Sequence, residues 1–84
     1  MKPGRTRIVL DGVQLPVVFR YGGATYIPYA IGGGLVFSYI DAGDGWRLDH
    51  HDLKLGVGYD VEILDPRACE PPLDVRDALL GALA

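Results

Sequence analysis

The chain has 84 residues, of which 49% are hydrophobic and 23% are charged, a composition typical of a folded globular protein and not of a disordered one. A chain of this length forms one domain, residues 1–84, and its single cysteine excludes an intramolecular disulfide. No apolar run is as long as a membrane span, and the N-terminus lacks the apolar segment of a signal peptide. We therefore expect a cytoplasmic protein with no membrane partner.

Charge is distributed unevenly along the chain. Residues 1–40 carry four basic side chains against one acidic, a balance of +3, whereas residues 41–84 carry four basic against ten acidic, a balance of −6. Two such halves can pair within one fold or face each other between subunits. Pairing within one fold is the simpler expectation.

The first twenty residues predict a hairpin. Basic and apolar residues alternate from Arg5 to Leu10, as in a half-buried strand. Asp11-Gly12 suits a type I′ turn, and the strand pattern resumes from Val13 to Arg20, with Pro16 expected at an edge or a bulge. The pattern thus predicts a hairpin over residues 5–20.

The stretch from residue 21 to 41 is the richest in tyrosine and glycine, and it predicts two further strands. A turn at Gly22-Gly23 leads into a strand over 24–29, and the glycines at 32–34 separate it from an apolar strand over 35–40. We interpret this last strand as the central one. Three successive glycines indicate either a mobile loop or a place where a ligand or a second backbone comes close.

The second half predicts one more hairpin and a long alternating segment. Residues 42–45 form the hairpin loop, and from residue 53 to 63 apolar side chains occur at every second position. Gly56 and Gly58 would allow this segment to bend, so one bent strand and two short strands fit equally well.

Prolines end the strand pattern and precede a helix. Residues 65–73 are a proline-rich connector, and residues 74–83 predict a short helix with Asp74 as N-cap and Asp77 in the first turn. Its apolar face comprises Val75, Ala78, Leu79, Ala82 and Leu83. The predicted fold is mainly β: an antiparallel meander of five to six short strands over 5–64, curled into a barrel or a sandwich, with one C-terminal α-helix.

The segments IVLDGVQL, YGGATYIPYA and VFSYID occur in an order that resembles the copper amine oxidase N-terminal-like domain, a small repeat. The resemblance covers about half of the chain and implies a strand, a glycine turn, a second strand ending in an Ile-Pro step, and a further strand. In that family a short helix follows this step, whereas this chain has Ile31 and three glycines. We therefore do not assign the chain to the family.

His50 and His51, flanked by Asp49 and Asp52, are the candidate metal ligands. Imidazole and carboxylate suit zinc, but a structural site needs about four ligands, and adjacent strand residues point to opposite faces. A polar hairpin tip is the simpler interpretation, and we expect no cofactor.

The sequence offers little support for nucleophilic catalysis or for nucleic-acid binding. Ser38 lies in the most apolar strand, and Cys69 lies between prolines, with Arg67 as the only neighbouring basic residue. We therefore predict no catalytic residue. A group of basic residues, here Lys2, Arg5, Arg7 and Arg20, is one feature of nucleic-acid-binding proteins, but such proteins are usually basic along a whole face. We therefore do not expect a nucleic-acid partner.

The favoured function is a non-catalytic module for protein interaction or assembly: a homo-oligomer, an accessory subunit, or an inhibitor covering a partner surface. Tyrosine and tryptophan are enriched at interfaces. The candidate binding residues are Tyr21, Tyr26, Tyr29, Gly32, Gly33, Gly34, Tyr39 and Trp46. The alternative is a β domain that binds a small molecule or metal with the Gly32–Gly34 loop and the Asp49–Asp52 turn.

Overall fold

A computed structural model describes residues 3–11 and 17–81. These residues form six strands, a 3-10 turn and one α-helix. The strands are β1 (Gly4–Val9), β2 (Phe19–Tyr21), β3 (Ala24–Gly32), β4 (Leu35–Asp41), β5 (Trp46–Asp49) and β6 (Gly58–Ile63). The 3-10 turn spans Pro66–Ala68, and α1 spans Leu73–Gly81. The mainly β class with one C-terminal helix is confirmed.

The six strands form one antiparallel sheet in the order β1-β6-β2-β3-β4-β5. Strands β2 to β5 are a meander, as predicted. In the described part of the chain the sheet is open, with β1 and β5 at its edges, so the predicted closure into a barrel is not observed. The apolar strand β4 is next to the edge strand β5, so its predicted central position is wrong.

The predicted hairpin over residues 5–20 is wrong, because β6 lies between β1 and β2. Both strands pair antiparallel with β6, so they run parallel to each other and a tight turn cannot join them. The pairing extends beyond the strands: the Gly56 amide donates to the Leu10 carbonyl at 2.6 Å, and the Leu64 amide to the Val18 carbonyl at 2.9 Å. The predicted turn residue Gly12, the strand start at Val13 and the edge residue Pro16 lie outside the described residues.

Two glycine pairs form the hairpin turns around β3. Gly22 and Gly23 have φ of 59° and 85°, and Gly33 and Gly34 have φ of 59° and 79°. A two-residue hairpin turn of type I′ needs positive φ at both positions, which glycine adopts without steric cost. Gly33 and Gly34 therefore form a tight turn that joins β3 to β4, and Gly32 is the last residue of β3.

A β-bulge in β3 changes which residues face the core. The register against β4 shifts between Pro28 and Ala30, so β3 continues through the proline to Gly32. As a consequence Tyr26 and Ile31, which are five residues apart, both pack against the same core.

Each face of the sheet carries its own core. On the first face Phe19, Tyr26, Val36, Ile40 and Val61 are among the buried residues. On the second face Val18 and Ile27 pack against Val75 and Leu79 of α1, with Tyr39, Trp46, Leu64 and Cys69 around them.

The helix begins at Leu73, one residue earlier than predicted. Asp74 is therefore inside the first turn, where the helix dipole still stabilises its negative charge. Asp77 lies beyond that turn. Val75 and Leu79 are buried as expected, whereas Ala78 is exposed. Ala82 and Leu83 lie outside the described residues.

The segment before β6 is not part of a long strand. Strand β6 begins at Gly58, residues 55 and 56 form a turn in which Gly56 has φ of 75°, and Lys54 makes an isolated bridge to Leu35. The Lys54 amide also donates to the Tyr59 hydroxyl at 2.9 Å, which closes the turn.

The oppositely charged parts of the chain meet inside the sheet. Arg7 is directly opposite Asp60, and their side chains form an ion pair at 3.4 Å. Glu62 lies between Arg5 on β1 and Arg20 on β2. At these positions the charge asymmetry is balanced within one fold.

Candidate functional site

The predicted interface tyrosines are divided between the core and the surface. Tyr26 is only 6% exposed and its ring stacks on Phe19 with 5.7 Å between centroids. Burial and the hydrogen bond to Asp52 both raise the pKa of the Tyr26 hydroxyl. Tyr21 lies at the rim of this core, with its ring edge-to-face against Tyr59 at 5.1 Å.

A second group of apolar side chains lies on the helix-bearing face; we call Tyr29, Tyr39, Leu48 and Leu73 the tyrosine patch. Tyr39 is partly buried, and the other three are exposed. Tyr39 is its centre, with Tyr29 edge-to-face against it at 5.3 Å and Leu48 directly opposite it on β5. The Tyr39 hydroxyl donates to Asp74 at 2.8 Å, next to Leu73. Exposure is 47% for Tyr29, 55% for Leu48 and 77% for Leu73.

The hydrogen bond between Tyr39 and Asp74 fixes the centre of the patch. It raises the pKa of the Tyr39 hydroxyl, because loss of the phenolic proton would place two negative charges side by side. The same bond ties β4 to the start of α1, so the patch is assembled from the sheet and the helix together.

Trp46 anchors the proline-rich connector. It is half-buried beside the second core, and its indole N–H donates to the Glu70 carbonyl at 3.1 Å. Glu70 has φ of 47°, a left-handed conformation that is uncommon for a residue with a side chain. The bond holds the connector where the chain turns toward α1.

The glycine turn and the histidine turn meet at one cleft. This cleft of about 410 Å³ is open to solvent, and Gly34, Leu35, His50, His51 and Lys54 are among its lining residues. The bridge between Leu35 and Lys54 holds the two segments together. The two parts of the alternative predicted site are thus neighbours in space.

The two histidines converge, although strand geometry would have separated them. Their ring centroids are 4.2 Å apart, and His50 also contacts Phe37 edge-to-face at 5.3 Å. Asp49 holds the turn by accepting the backbone N–H groups of His50 at 2.6 Å and His51 at 3.0 Å.

The carboxylate of Asp49 is well paired. The His51 amide, the His50 amide and the Arg47 guanidinium, at 2.7 Å, all lower its pKa. Asp52 accepts the Tyr26 hydroxyl at 3.3 Å on the first face. Within residues 3–11 and 17–81, no three His, Cys, Asp or Glu side chains are grouped so that they could hold a metal ion.

The two possible nucleophiles are buried or partly buried. The Ser38 hydroxyl is buried and has no hydrogen-bond partner among the described residues. Cys69 donates to the Asp65 carbonyl at 3.3 Å, and burial raises the pKa of its thiol. A raised thiol pKa reduces the thiolate fraction and therefore the reactivity.

Sequence reasoning missed three residues that these sites depend on. Leu48 and Leu73 were not singled out because each is an isolated leucine next to charged residues, with no periodic signal. Lys54 belongs to the alternating segment, where it resembles an ordinary exposed strand residue. Their importance depends on neighbours that are distant in the chain.

The described residues include no helix with the length and hydrophobicity that a membrane span requires. Comparisons of the chain with protein-family models, curated proteins and solved structures found no match. Consistent with this, β3 continues as a strand beyond Pro28, where the repeat discussed above has a helix.

Proposed function

We propose that the protein is a non-catalytic interaction module that binds a protein surface, either of a second copy or of another chain, through the tyrosine patch. The observation that carries this proposal is that the exposed residues Tyr29 and Leu48 adjoin Tyr39, the first by ring contact and the second as its partner on β5. Leu73, also exposed, is next in the chain to Asp74, which accepts the Tyr39 hydroxyl. Large exposed apolar groups that adjoin one another mark interaction sites more often than scattered ones do.

The patch is suited to binding because its central side chain is already ordered. Tyr39 is held by Asp74 and by the ring of Tyr29. A rotamer that is fixed before binding loses less entropy in the complex, and tyrosine offers a large contact area with few rotatable bonds.

Association through this patch should depend little on salt. The pairs of opposite charge that join neighbouring strands lie on β1, β6 and β2, at the other end of the sheet from Leu48 on β5. The charges next to Leu48 are Arg47 and Asp49, which form an ion pair with each other at 2.7 Å and occupy the alternate positions of β5, on the opposite face. Burial of apolar area is the main driving force that remains, and simple salts do not screen it.

The test compares Leu48→Arg/Leu73→Arg with Val57→Arg, which places a charge at another exposed apolar residue, 42% exposed. Native mass is measured by light scattering over a range of concentrations at low and high salt. If the partner is a second copy, we expect the wild type and Val57→Arg to associate and the double variant to remain monomeric.

A photo-crosslinking amino acid at position 73 or 57 extends the test to other chains. We expect adducts from position 73, with a second copy or with a bound protein, and not from position 57. Equal adducts from both positions, together with a mass that Leu48→Arg/Leu73→Arg does not change, would refute the proposal.

The second candidate function is the binding of a small molecule. One observation favours it: the Gly33-Gly34 turn and the histidine turn, far apart in sequence, line the same cleft.

A further inference from the structure

We infer that the cleft between the glycine turn and the histidine turn binds a small carboxylate with an apolar tail. The inference rests on the second candidate function and does not depend on the tyrosine patch. The carboxylate is recognised by His50, His51 and Lys54, and the tail contacts the leucines of the same cleft.

The polar lining of the cleft consists of hydrogen-bond donors. Lys54 carries an ammonium group, and His50 and His51 each offer an imidazole N–H. A carboxylate accepts several such bonds at once, and bonds between charged groups are stronger than neutral ones. Three donors on one side of a small cleft therefore favour an anion.

The acidic residues of this region are directed to other partners. Asp49 is paired with Arg47 at 2.7 Å and accepts two backbone N–H groups, while Asp52 accepts the Tyr26 hydroxyl. Asp49 Oδ1 also lies 3.9 Å from His51 Nε2, which is too far for a hydrogen bond. Neither aspartate is among the lining residues, so the cleft itself presents basic groups.

The rest of the lining is apolar. Leu35, Leu53 and Leu55 line the cleft, and Leu53 is part of the first core. Small-molecule sites commonly combine a largely apolar wall with a few convergent polar groups. Leu35 is 42% exposed, so a ligand with an apolar tail would remove apolar area from water there, which favours an amphiphilic anion over a fully hydrated one such as phosphate.

The cleft is held in shape before any ligand binds. The Leu35–Lys54 bridge joins its two walls, His50 rests against Phe37, and the Lys54 amide is bonded to the Tyr59 hydroxyl. Pre-organisation of this kind reduces the entropy lost on binding.

The test is a titration of the ¹⁵N-labelled full chain, with backbone amide shifts as the readout and sodium hexanoate as the probe. Acetate, hexan-1-ol and inorganic phosphate are the comparison ligands. We expect saturable shifts at Gly34, Leu35, His51 and Lys54 with hexanoate. The comparison ligands should bind with an affinity lower by about tenfold or more, because each lacks the tail, the carboxylate or both.

Two exposed positions allow a variant that should fold normally. His51→Ala/Lys54→Ala removes two of the donors, and we expect it to weaken hexanoate binding about tenfold. Arg67→Gln, which removes a cation far from the cleft, should leave the affinity unchanged. Leu48→Arg/Leu73→Arg should also leave it unchanged, which separates this site from the tyrosine patch.

Three results would overturn the inference. Equal affinity for hexanoate and hexan-1-ol would show that the donors do not recognise the carboxylate. Tighter binding of phosphate than of hexanoate would show that the leucines do not contribute. Absence of a saturable shift at the cleft amides with hexanoate would exclude the site altogether, whatever the native-mass experiment shows.

Discussion

Asp65 shows how a single side chain can organise a turn. Its carboxylate accepts the backbone N–H of Arg67 at 2.9 Å and the guanidinium of the same residue at 2.7 Å. These bonds lower the pKa of Asp65 to about 2. Since all of them are stronger with the charged form, protonation of Asp65 should loosen the 3-10 turn that leads to α1.

The lowered pKa predicts a specific dependence of stability on pH. A carboxyl group whose pKa is lower in the folded state stabilises the protein fully above the unfolded value, about 3.9, and this contribution is lost as the pH falls toward about 2. Asp65→Asn should therefore unfold at a lower urea concentration than the wild type at pH 7, and the difference should shrink between pH 4 and pH 2.

The control for this experiment is Asp44→Asn, which removes an exposed carboxylate from the loop between β4 and β5. Its urea midpoint should follow that of the wild type over the same pH range. A difference between Asp65→Asn and the wild type that stayed constant from pH 7 to pH 2 would contradict the assignment.

Residue-scale inference from sequence succeeded where the cause was local. The glycine pair at 22–23 predicted a turn, and the glycines at 32–34 predicted a break between two strands, because positive φ is a property of those residues alone. It failed for Tyr26 and Tyr29, which are chemically identical and three positions apart, yet lie in the core and on the surface. The bulge between Pro28 and Ala30 affects which side of β3 each residue faces, and no local signal located it.

At the scale of elements, β6 is the strand that connects the second half of the chain to the first, because it pairs with both β1 and β2. One side of β6 contributes Tyr59, Val61 and Ile63 to the first core. Its other side carries Asp60 opposite Arg7 of β1, and Glu62 between the arginines of β1 and β2. Burial stabilises the strand, while the alternating charges favour this position and register over others.

Glu62 is the most informative position for testing this charge pattern. Glu62→Arg would place three arginines side by side across β1, β6 and β2, and like charges directly opposite each other destabilise a sheet. We expect a loss of about 1 kcal/mol in the free energy of unfolding, measured in urea at low salt.

Glu62→Gln is the matched control, because it removes the charge without reversing it. The loss should be smaller for Gln than for Arg, and the gap between them should narrow at high salt, where exposed charges are screened. Equal losses at low salt would mean that the arginines of β1 and β2 do not act on residue 62.

Sequence patterns predicted most elements but not their neighbours. The alternation near residue 60 predicted β6, and the prolines near residue 71 predicted the end of the strand pattern and the start of the helix. The Asp11-Gly12 dipeptide suggested that β1 pairs with the next strand along the chain. That inference failed because pairing with β6 buries Ile8 and Leu10 against the first core and also opposes Arg7 to Asp60.

At the scale of the whole molecule, Phe19 is at the centre of the first core. It is fully buried on β2, next to β6 and β3, and it stacks on Tyr26. Phe19→Ala should lower the free energy of unfolding by about 3–5 kcal/mol, a large part of the total for a small domain. Urea unfolding followed by tryptophan fluorescence and by circular dichroism measures the change.

Phe37→Ala is the control, since Phe37 is half-buried on the other face and contacts His50. Its cost should be clearly smaller than that of Phe19→Ala. If the two variants lost equal stability, the first face would not hold the main core.

The properties that short stretches of sequence decided are the turns, the strands, the helix and the mainly β class. They depend on φ preferences and on the period of apolar residues, which act over a few positions. The order of the strands, the tyrosine patch and the cleft were decided only in three dimensions. Each depends on residues more than ten positions apart, such as Tyr39 with Asp74 or Leu35 with Lys54, and these contacts exist only once burial of both faces of the sheet has selected one packing.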